Sequence, residues 1–382
     1  MKILVAGAGM MGSAAAYDLA RSAEVEHVMV ADRDHARANE VASRLGPKAG
    51  SAELDTGDYE AVVRLMRQFD GAIGATSYTH NYDLTRAAIE SKTHFCDLGG
   101  NMDVVYRQIT LDSAASGAGV LVLPNCGLAP GMACVIASGI AGGFSSIDEI
   151  HIRVGGLPQN PRPPLNYQLV FSPEGLINEY TEPAEVIRDG LAERVPPMTD
   201  LEELAFPPTF TSLEAFNTSG GTSTLTRMFG GKVRQLDYKT IRYPGHCEKF
   251  RTLLDLGFAG LEPVIAGNST LTTREVFENL LRRKLFANGP DVVLVRVSVT
   301  GTLKGKKRTL AYEMTDYYDE SSVMTSMMRT TAFPTSVIIQ MAVGGRIGVT
   351  GVKPPEQCVP LEPFIAELAK RNIHFKTSVA EA

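Results

Sequence analysis

Lys2-Ile-Leu-Val-Ala-Gly-Ala-Gly-Met-Met-Gly12 stands at the N-terminus of the chain and decides its fold. Residues 2–6 predict a short strand, and the alanine-rich stretch from Ser13 to Arg21 predicts a helix. G-x-G-x-x-G between a strand and a helix is the fingerprint of a dinucleotide-binding Rossmann unit. Gly7 permits the tight turn, Gly9 lets the main chain approach a pyrophosphate, and Gly12 allows close helix–strand packing.

Asp32 indicates which dinucleotide is bound. It follows the second predicted strand, residues 27–31, and stands twenty residues after Gly12. An acidic side chain there accepts hydrogen bonds from the ribose hydroxyls and repels a 2′-phosphate. Arg33 is the opposing feature, because an arginine at this place can meet the 2′-phosphate of NADP. We predict NAD as the cofactor.

The next part of the chain alternates strands and helices, as a doubly wound parallel sheet requires. Thr76, Asp97 and Asn125 each stand at the carboxyl end of a predicted strand, where ligands bind in open α/β sheets. Asp97 has two interpretations: it recognises a cationic amine and takes part in catalysis, or it is a structural acceptor beside the nicotinamide. We prefer the second. The predicted cofactor contacts are Gly7, Gly9, Met10, Met11, Gly12, Asp32, Arg33, Asp55, Thr76, Ser77, Asp97, Leu98 and Gly99.

The middle of the chain has a different pattern. Predicted strands at residues 151–154 and 291–300 and a hairpin partner at 309–314 indicate a largely antiparallel sheet. Proline- and glycine-rich segments at 155–164 and 195–208 predict loops that cover the active-site cleft. We therefore expect an inserted α+β domain for substrate binding and dimerisation.

The C-terminal part is predicted to return to the first domain. Helices are expected at residues 326–344 and 363–372, and a strand at 373–376. The predicted fold class is α/β, with a Rossmann sheet that the C-terminal segment completes. The predicted domains are 1–131 (dinucleotide binding), 132–325 (substrate and dimerisation) and 326–382 (return).

Composition excludes several classes of function. The net charge is −6 with no long basic run, which argues against a nucleic-acid or anionic-membrane partner. No apolar run has the length of a signal peptide or membrane span. The five cysteines lack C-x-x-C spacing, so we expect neither a metal site nor disulfides. We expect reduced thiols in the cytoplasm instead.

Six further motifs, together with the N-terminal one, resemble those of the saccharopine dehydrogenase-like superfamily in order and spacing. They are Cys96-Asp-Leu-Gly-Gly100, Gly127-Leu-Ala-Pro-Gly131, Val154-Gly-Gly-Leu-Pro158, Leu169-Val-Phe-Ser172, Arg242-Tyr-Pro-Gly-His246 and Gly351-Val-Lys-Pro-Pro-Glu356. Within this superfamily the chain is most similar to the L-lysine 6-dehydrogenases. The resemblance implies NAD-linked oxidation of the ε-amine of L-lysine to allysine, which cyclises to a piperideine carboxylate, with release of ammonia. It also implies a homodimer.

Two departures sharpen this resemblance. Saccharopine reductases carry Asp before the Pro-Gly that is residues 130–131 here, and Cys before the Gly-Gly-Leu-Pro at 155–158. This chain has Ala129 and Val154 instead. Both polar groups associated with chemistry in those enzymes are missing, which disfavours saccharopine formation.

The oxidation of an amine requires a base, because the nitrogen must lose its proton before an imine can form. His246 is the best candidate, since its ordinary pKa is near neutrality. Arg242 is predicted to pair with a substrate carboxylate, and Tyr243 to donate a hydrogen bond to substrate. Tyr167 and the Glu179-Tyr180 pair are further candidates on predicted loops. For each of these residues, a purely structural role remains the alternative.

Two other functions compete with lysine oxidation. One is a dehydrogenase of the saccharopine or carboxynorspermidine type, which forms or cleaves a secondary amine with NAD(P). The other is a non-catalytic NAD-binding sensor, and the many motifs of the second domain argue against it.

Overall fold

The computed structural model describes residues 1–267, 269–285 and 289–382. The chain folds into two compact units. The first comprises Met1–Gly143, Ser223–Leu225 and Met328–His374, and the second comprises Phe144–Thr222, Thr226–Met327 and Phe375–Ala382.

The elements alternate regularly in the first third of the chain and less regularly afterwards. The helices are α1 (Met10–Arg21), α2 (His35–Leu45), α3 (Tyr59–Met66), α4 (Asn81–Ser91), α5 (Met102–Ile109), α6 (Asp112–Ala118), α7 (Met132–Ala141), α8 (Pro173–Thr181), α9 (Leu225–Phe229), α10 (His246–Asp255), α11 (Thr273–Leu285), α12 (Ser326–Val343) and α13 (Leu361–Ala369). The strands are β1 (Lys2–Ala6), β2 (His27–Asp32), β3 (Ala49–Glu53), β4 (Gly71–Gly74), β5 (His94–Asp97), β6 (Leu121–Leu123), β7 (Ser146–Pro158), β8 (Ala184–Arg188), β9 (Leu191–Val195), β10 (Glu202–Phe206), β11 (Phe210–Asn217), β12 (Gln235–Arg242), β13 (Pro263–Ala266), β14 (Ser269–Thr272), β15 (Asp291–Leu303), β16 (Lys306–Tyr317), β17 (Gly351–Val352) and β18 (Lys376–Glu381).

The first unit is built on a seven-stranded parallel sheet in the order β17-β6-β5-β4-β1-β2-β3. Residues 3–6 of β1, which lies between β4 and β2, are buried apolar side chains, as expected for a parallel sheet that is covered on both faces. The strand order reverses between β1 and β4, which opens a crevice at their carboxyl ends. Because β17 pairs with β6, the prediction that the C-terminal part completes the Rossmann sheet is confirmed.

The second unit is built on a nine-stranded mixed sheet that is largely antiparallel, as predicted. The long strand β15 pairs with β7 on one side and with β16 on the other. Leu303 pairs with Lys306, so the hairpin turn consists of Lys304 and Gly305, which both have positive φ. A two-residue turn of this kind matches the twist of the strands that it joins.

Three segments differ from the sequence-based expectations. Gly155–Pro158, predicted as the start of a loop, lies within β7, and Glu202–Phe206 forms β10 inside the second predicted loop. Gly155 occurs there because a Cβ would lie 2.5 Å from the carbonyl oxygen of Ile241 on β12, so only glycine permits this approach. The last strand covers residues 376–381 rather than 373–376 and pairs with β16 in the second unit.

The structural units also begin and end at other residues than the predicted domains. The first unit extends to Gly143 rather than residue 131, because the apolar helix α7 packs against the short 3-10 helix Pro355–Gln357 and against α13. Residues 326–327 and 375–382 belong to the second unit. Among the described residues, no helix combines the length and apolarity that crossing a membrane requires.

Candidate active site

The turn between β1 and α1 leaves open space above one glycine. Gly7 has φ of 110°, and a Cβ there would lie 2.4 Å from the carbonyl oxygen of Ala75. A Cβ on Gly12 would lie 1.9 Å from the carbonyl oxygen of Gly7. By contrast, no atom of the described residues lies within 4 Å of a Cβ built on Gly9, the N-cap of α1, and none of their side chains caps this helix. The turn therefore fits the pyrophosphate of a dinucleotide, which can approach Gly9 and the free N–H groups of α1.

Asp32 is tied to this turn. Its Oδ2 accepts the N–H of Ala8 at 2.7 Å, and its Oδ1 accepts the N–H of Asp34 at 2.9 Å. The carboxylate is partly exposed, and each of its oxygens keeps a further lone pair for a ribose hydroxyl. Arg33 is exposed and forms no ion pair within the part of the chain that the structure describes.

The remaining predicted contacts of the first unit have different surroundings. Thr76 is partly buried, and its Oγ1 has no hydrogen-bond partner among the described residues. Ser77 accepts the N–H of Thr79 and so begins a short 3-10 helix. Asp55 is exposed and accepts the N–H of Gly57 at 2.9 Å. This contact favours a structural role for Asp55 in an exposed turn. Met10 is exposed and Met11 partly buried, on the first turn of α1.

Asp97 is completely buried at the end of β5. Its Oδ1 accepts the N–H groups of Gly99 and Asn125 at 2.8 and 3.2 Å, and its Oδ2 accepts Nε2 of Gln108 at 2.7 Å. Burial raises the pKa of the carboxyl group above its ordinary value. The three donors act in the opposite direction, but their effect on the pKa is smaller than that of burial. The contacts favour the role of a structural acceptor that holds the 97–99 turn.

Asn125, after β6, contacts this turn, and the sequence understates its importance. It has φ of 63°, and its Nδ2 donates to Oγ of Ser223 at 3.0 Å. Its Oδ1 would lie 2.1 Å from a Cβ on Gly99, which explains the glycine there. This Oδ1 is buried with no partner among the described residues, so it can accept a hydrogen bond from a ligand. The carboxamide of a nicotinamide is one suitable donor.

The second unit brings together five of the six predicted substrate or catalytic residues outside the Rossmann sheet. His246 begins α10 and is 1% exposed. Its Nδ1 donates to the carbonyl oxygen of Leu165 at 3.0 Å, which leaves Nε2 to accept the hydroxyl of Tyr180 at 3.2 Å. The same hydroxyl accepts Nε of Arg242 at 2.8 Å. Arg242, Tyr180 and His246 thus form one hydrogen-bonded chain.

The surroundings of His246 change the role that the sequence suggests for it. Burial and the charge of Arg242 lower the pKa of the imidazole to about 3. Because the ring is neutral and both nitrogens are engaged, it is poorly suited to take a proton from a substrate. The geometry favours a positioning role, in which His246 fixes the Tyr180 hydroxyl and, through it, the guanidinium of Arg242.

Arg242 is 3% exposed at the end of β12. Its Nη1 donates to the carbonyl oxygen of Ile241 at 2.9 Å, and its guanidinium lies 4.7 Å from the ring centroid of Tyr167. Among the described residues, no carboxylate lies within 4.0 Å of this guanidinium. A buried arginine is rarely left without an anion, because desolvation of its charge costs several kcal/mol. The arrangement is typical of a site that receives an anionic group of a ligand.

Glu179 completes this group of residues. It lies on α8, not on a loop as predicted, and is partly buried. Its carboxylate has no hydrogen bond or ion pair within 4.0 Å among the described residues. Burial raises its pKa to about 7, although the charge of Arg242 acts to lower it.

Tyr243 is the predicted substrate contact that stands apart. Its hydroxyl donates to the carbonyl oxygen of Pro158 at 2.9 Å, a backbone contact that favours a structural role. No group of three or more His, Cys, Asp or Glu side chains among the described residues is arranged to hold a metal ion.

Two family models match the chain. The model described as "Saccharopine dehydrogenase NADP binding domain" matches residues 3–123, and "Saccharopine dehydrogenase C-terminal domain" matches residues 127–373. Because these matches cover nearly the whole chain, it belongs to the saccharopine dehydrogenase family.

Relatives and solved structures agree with this family. The chain is 25% identical to carboxyaminopropylagmatine dehydrogenase of Synechocystis sp. over 219 residues, which are 54% of each chain. It is 27% identical to the NADP+-dependent, L-glutamate-forming saccharopine dehydrogenase of Saccharomyces cerevisiae over 206 residues, 50% of this chain and 43% of that one. The matches span about half the length of these curated relatives. The apo structure of the L-glutamate-forming saccharopine dehydrogenase of Saccharomyces cerevisiae has the same fold, with a TM-score of 0.80, 20% identity and 99% coverage of both chains.

Proposed function

We propose that this protein is an NAD-dependent amine dehydrogenase that oxidises the ε-amine of L-lysine to allysine and releases ammonia. The observation that carries the proposal is the buried guanidinium of Arg242, which has no carboxylate within 4.0 Å among the described residues. An amino-acid substrate supplies the missing anion through its carboxylate. Family membership supports an amine as the group that is oxidised.

The proposed cofactor is NAD rather than NADP. The family model names NADP, so the choice depends on this chain's own residues. Asp32 is held by Ala8 in a position to accept both ribose hydroxyls, and its negative charge disfavours a 2′-phosphate. Arg33 is the residue that favours NADP, because an arginine at this place can meet the 2′-phosphate.

The reaction balances without a metal. NAD, held at the turn of Gly9 and beside Asp32, would supply the hydride acceptor for the carbon that carries the amine. The substrate ammonium loses one proton, and loss of the hydride from the neutral amine gives an iminium. One water molecule hydrolyses the iminium, and the products are an aldehyde, an ammonium ion, NADH and a proton. In the proposal, Arg242 orients the substrate through its carboxylate, and Tyr180 and His246 hold Arg242. Asp97 holds the 97–99 turn of the cofactor site.

Lysine is preferred over saccharopine because of two side chains. Ala129 and Val154 replace the Asp and Cys associated with chemistry in saccharopine reductases, and Val154 is 4% exposed on β7. The second candidate is a saccharopine-type dehydrogenase, which the names of the curated relatives favour. We further propose a cytoplasmic location, with which the absence of a disulfide at any of the five cysteines agrees. We also propose a homodimer, which light scattering of the purified protein tests.

A panel of amines distinguishes the two candidates. The purified protein is incubated with NAD and, in turn, L-lysine, ornithine, saccharopine and carboxynorspermidine, and NADH absorbance is followed. We expect NADH with lysine and little with saccharopine. NADH with saccharopine but not with lysine would establish the second candidate instead, and parallel assays with NADP test the cofactor.

A further inference from the structure

The backbone around Glu179 is held by hydrogen bonds from two other segments of the chain. The Ser219 N–H donates to the carbonyl oxygen of Glu179 at 3.0 Å, and the Ser219 hydroxyl donates to the carbonyl oxygen of Asn178 at 3.4 Å. Arg274 donates from Nη2 to Oδ1 of Asn178 at 2.6 Å. The end of α8 is therefore fixed from two sides, although the carboxylate of Glu179 is not.

Glu179 and Arg242 carry opposite charges that influence each other without forming an ion pair. Arg242 lowers the pKa of Glu179. No guanidinium nitrogen of Arg242 lies within 4.0 Å of a carboxylate oxygen of Glu179, so the two side chains form no salt bridge. Other ionisable groups also act on this pair. They are the hydroxyls of Tyr167, from the segment before α8, of Tyr180, on α8 itself, and of Tyr238, on β12, together with the imidazole of His246 on α10. Two neighbouring, desolvated groups of opposite sign match a ligand that carries both an anion and a cation.

An α-amino acid head group has this property. Its carboxylate and its α-ammonium are bonded to the same carbon, so they can contact two neighbouring side chains at once. The ε-amine of lysine lies four carbons further along the chain and remains free for oxidation.

We propose that Glu179 and Arg242 together bind the α-amino acid head group of the substrate, Arg242 through the α-carboxylate and Glu179 through the α-ammonium. This inference rests on the proposed function, because it assigns the end of the substrate that does not react. It makes Glu179 a specificity-determining residue that selects α-amino acids over simple amines.

The assignment predicts how substrate binding depends on pH. Because the pKa of Glu179 is raised to about 7, the carboxyl group becomes neutral as the pH falls below that value. A neutral group attracts an ammonium weakly. The KM for lysine should therefore rise as the pH falls from 8 to 6, whereas the KM for 6-aminohexanoate, which lacks the α-ammonium, should not.

The test compares these two substrates in the wild-type protein, in Glu179→Gln and in Glu174→Gln. Glu174 is an exposed carboxylate on the same helix and serves as the matched control. Glu179→Gln should lower kcat/KM for lysine at least tenfold, mainly through KM, and leave 6-aminohexanoate within about twofold. It should also abolish the pH dependence of KM. Glu174→Gln should behave as wild type.

Two results would overturn the assignment: an equal effect of Glu179→Gln on both substrates, or no effect on either. If Glu179→Gln does not fold, Glu179→Asp replaces it; this variant should weaken lysine binding and keep the pH dependence of KM, and a KM independent of pH would contradict the assignment. If the wild-type protein oxidises no amine, the proposed function fails separately. Calorimetry of lysine and 6-aminohexanoate binding to wild type and Glu179→Gln then decides the role of Glu179.

Discussion

The carboxylate of Asp32 accepts the backbone N–H of Ala8 at 2.7 Å. This contact joins the end of β2 to the glycine-rich turn after β1, and so fixes the acid beside the site where the adenosine ribose would lie. The hydrogen bond also fills one lone pair of Oδ2, so the remaining acceptor positions of the carboxylate are oriented.

Replacement of Asp32 by Ala should weaken NAD binding by roughly tenfold to a hundredfold, because hydrogen bonds to a charged group are lost. NADP binding should change less, so that the preference for NAD narrows. Fluorescence titrations with NADH and NADPH measure both affinities. Glu40→Gln, an exposed change on α2, is the control. An unaltered ratio of the two affinities would refute the role of Asp32.

Two glycines of the turn, Gly12 and Gly9, should respond differently to alanine. Gly12→Ala should lower the free energy of unfolding by about 2–4 kcal/mol, because its Cβ would meet the carbonyl oxygen of Gly7. Gly9→Ala should change stability by no more than about 1 kcal/mol but weaken cofactor binding at least tenfold, because its Cβ occupies open space that the pyrophosphate needs. Urea unfolding and NADH titration measure the two effects. Gly117→Ala, in open space on α6, should leave cofactor affinity unchanged; a Gly9→Ala protein with wild-type affinity would contradict the proposed pyrophosphate position.

The Rossmann half was predictable from sequence because its signals are local. The strand, glycine turn, helix and acidic residue lie within Lys2–Asp32, and each element imposes its own periodicity or turn chemistry. The central strand β7 was only partly predicted, because glycines such as Gly155 and Gly156 are typical of loops. Their function is to allow close approach of Ile241 and Met327, which are distant in sequence.

Asp97→Asn should destabilise the protein by about 1–3 kcal/mol, because one of the oxygens that accept from Gly99, Asn125 and Gln108 becomes a donor. We expect NAD affinity to fall together with the stability, and turnover at saturating NAD to stay within a few-fold of wild type. Asp103→Asn, an exposed change on α5, is the control. Loss of turnover at unchanged NAD affinity would support the catalytic interpretation of Asp97 instead.

His246 should make the protein sensitive to acid. Its pKa is about 3 in the folded protein and about 6.5 when unfolded, so its contribution to stability is complete above pH 6.5 and decreases as the pH falls towards 3. Between pH 6.5 and 4.5 the loss should be about 2–3 kcal/mol. Urea unfolding of wild type and His246→Gln over this range isolates the contribution, since other groups titrate in both proteins. Identical pH dependences would show that the imidazole is not held neutral.

A positioning role for His246 also has a kinetic consequence. His246→Ala should raise the KM for lysine and lower turnover, because Tyr180 and Arg242 lose their support, while NAD affinity remains near wild type. His246→Gln, which can still accept from Tyr180, should recover part of the loss. A fully active His246→Ala protein would assign the residue to packing alone.

The sequence identifies Arg242, Tyr180 and His246 as candidates, but it does not show that hydrogen bonds connect them. Arg242 and His246 belong to one motif, whereas Tyr180 and Leu165 are more than sixty residues away. The contacts depend on the packing of α8 and α10 around Phe216 and Phe250, which no local pattern specifies. The same burial that creates the cluster lowers the pKa of His246 and raises that of Glu179, so the structure argues against His246 as the base that the sequence suggests.

The most direct test of the proposed activity is the ratio of ammonia to NADH formed from L-lysine and NAD by the purified protein. Oxidation of the ε-amine predicts one ammonia for each NADH, with allysine trapped by an aldehyde reagent. NADH without ammonia, or NADH formation only when saccharopine replaces lysine, would contradict it.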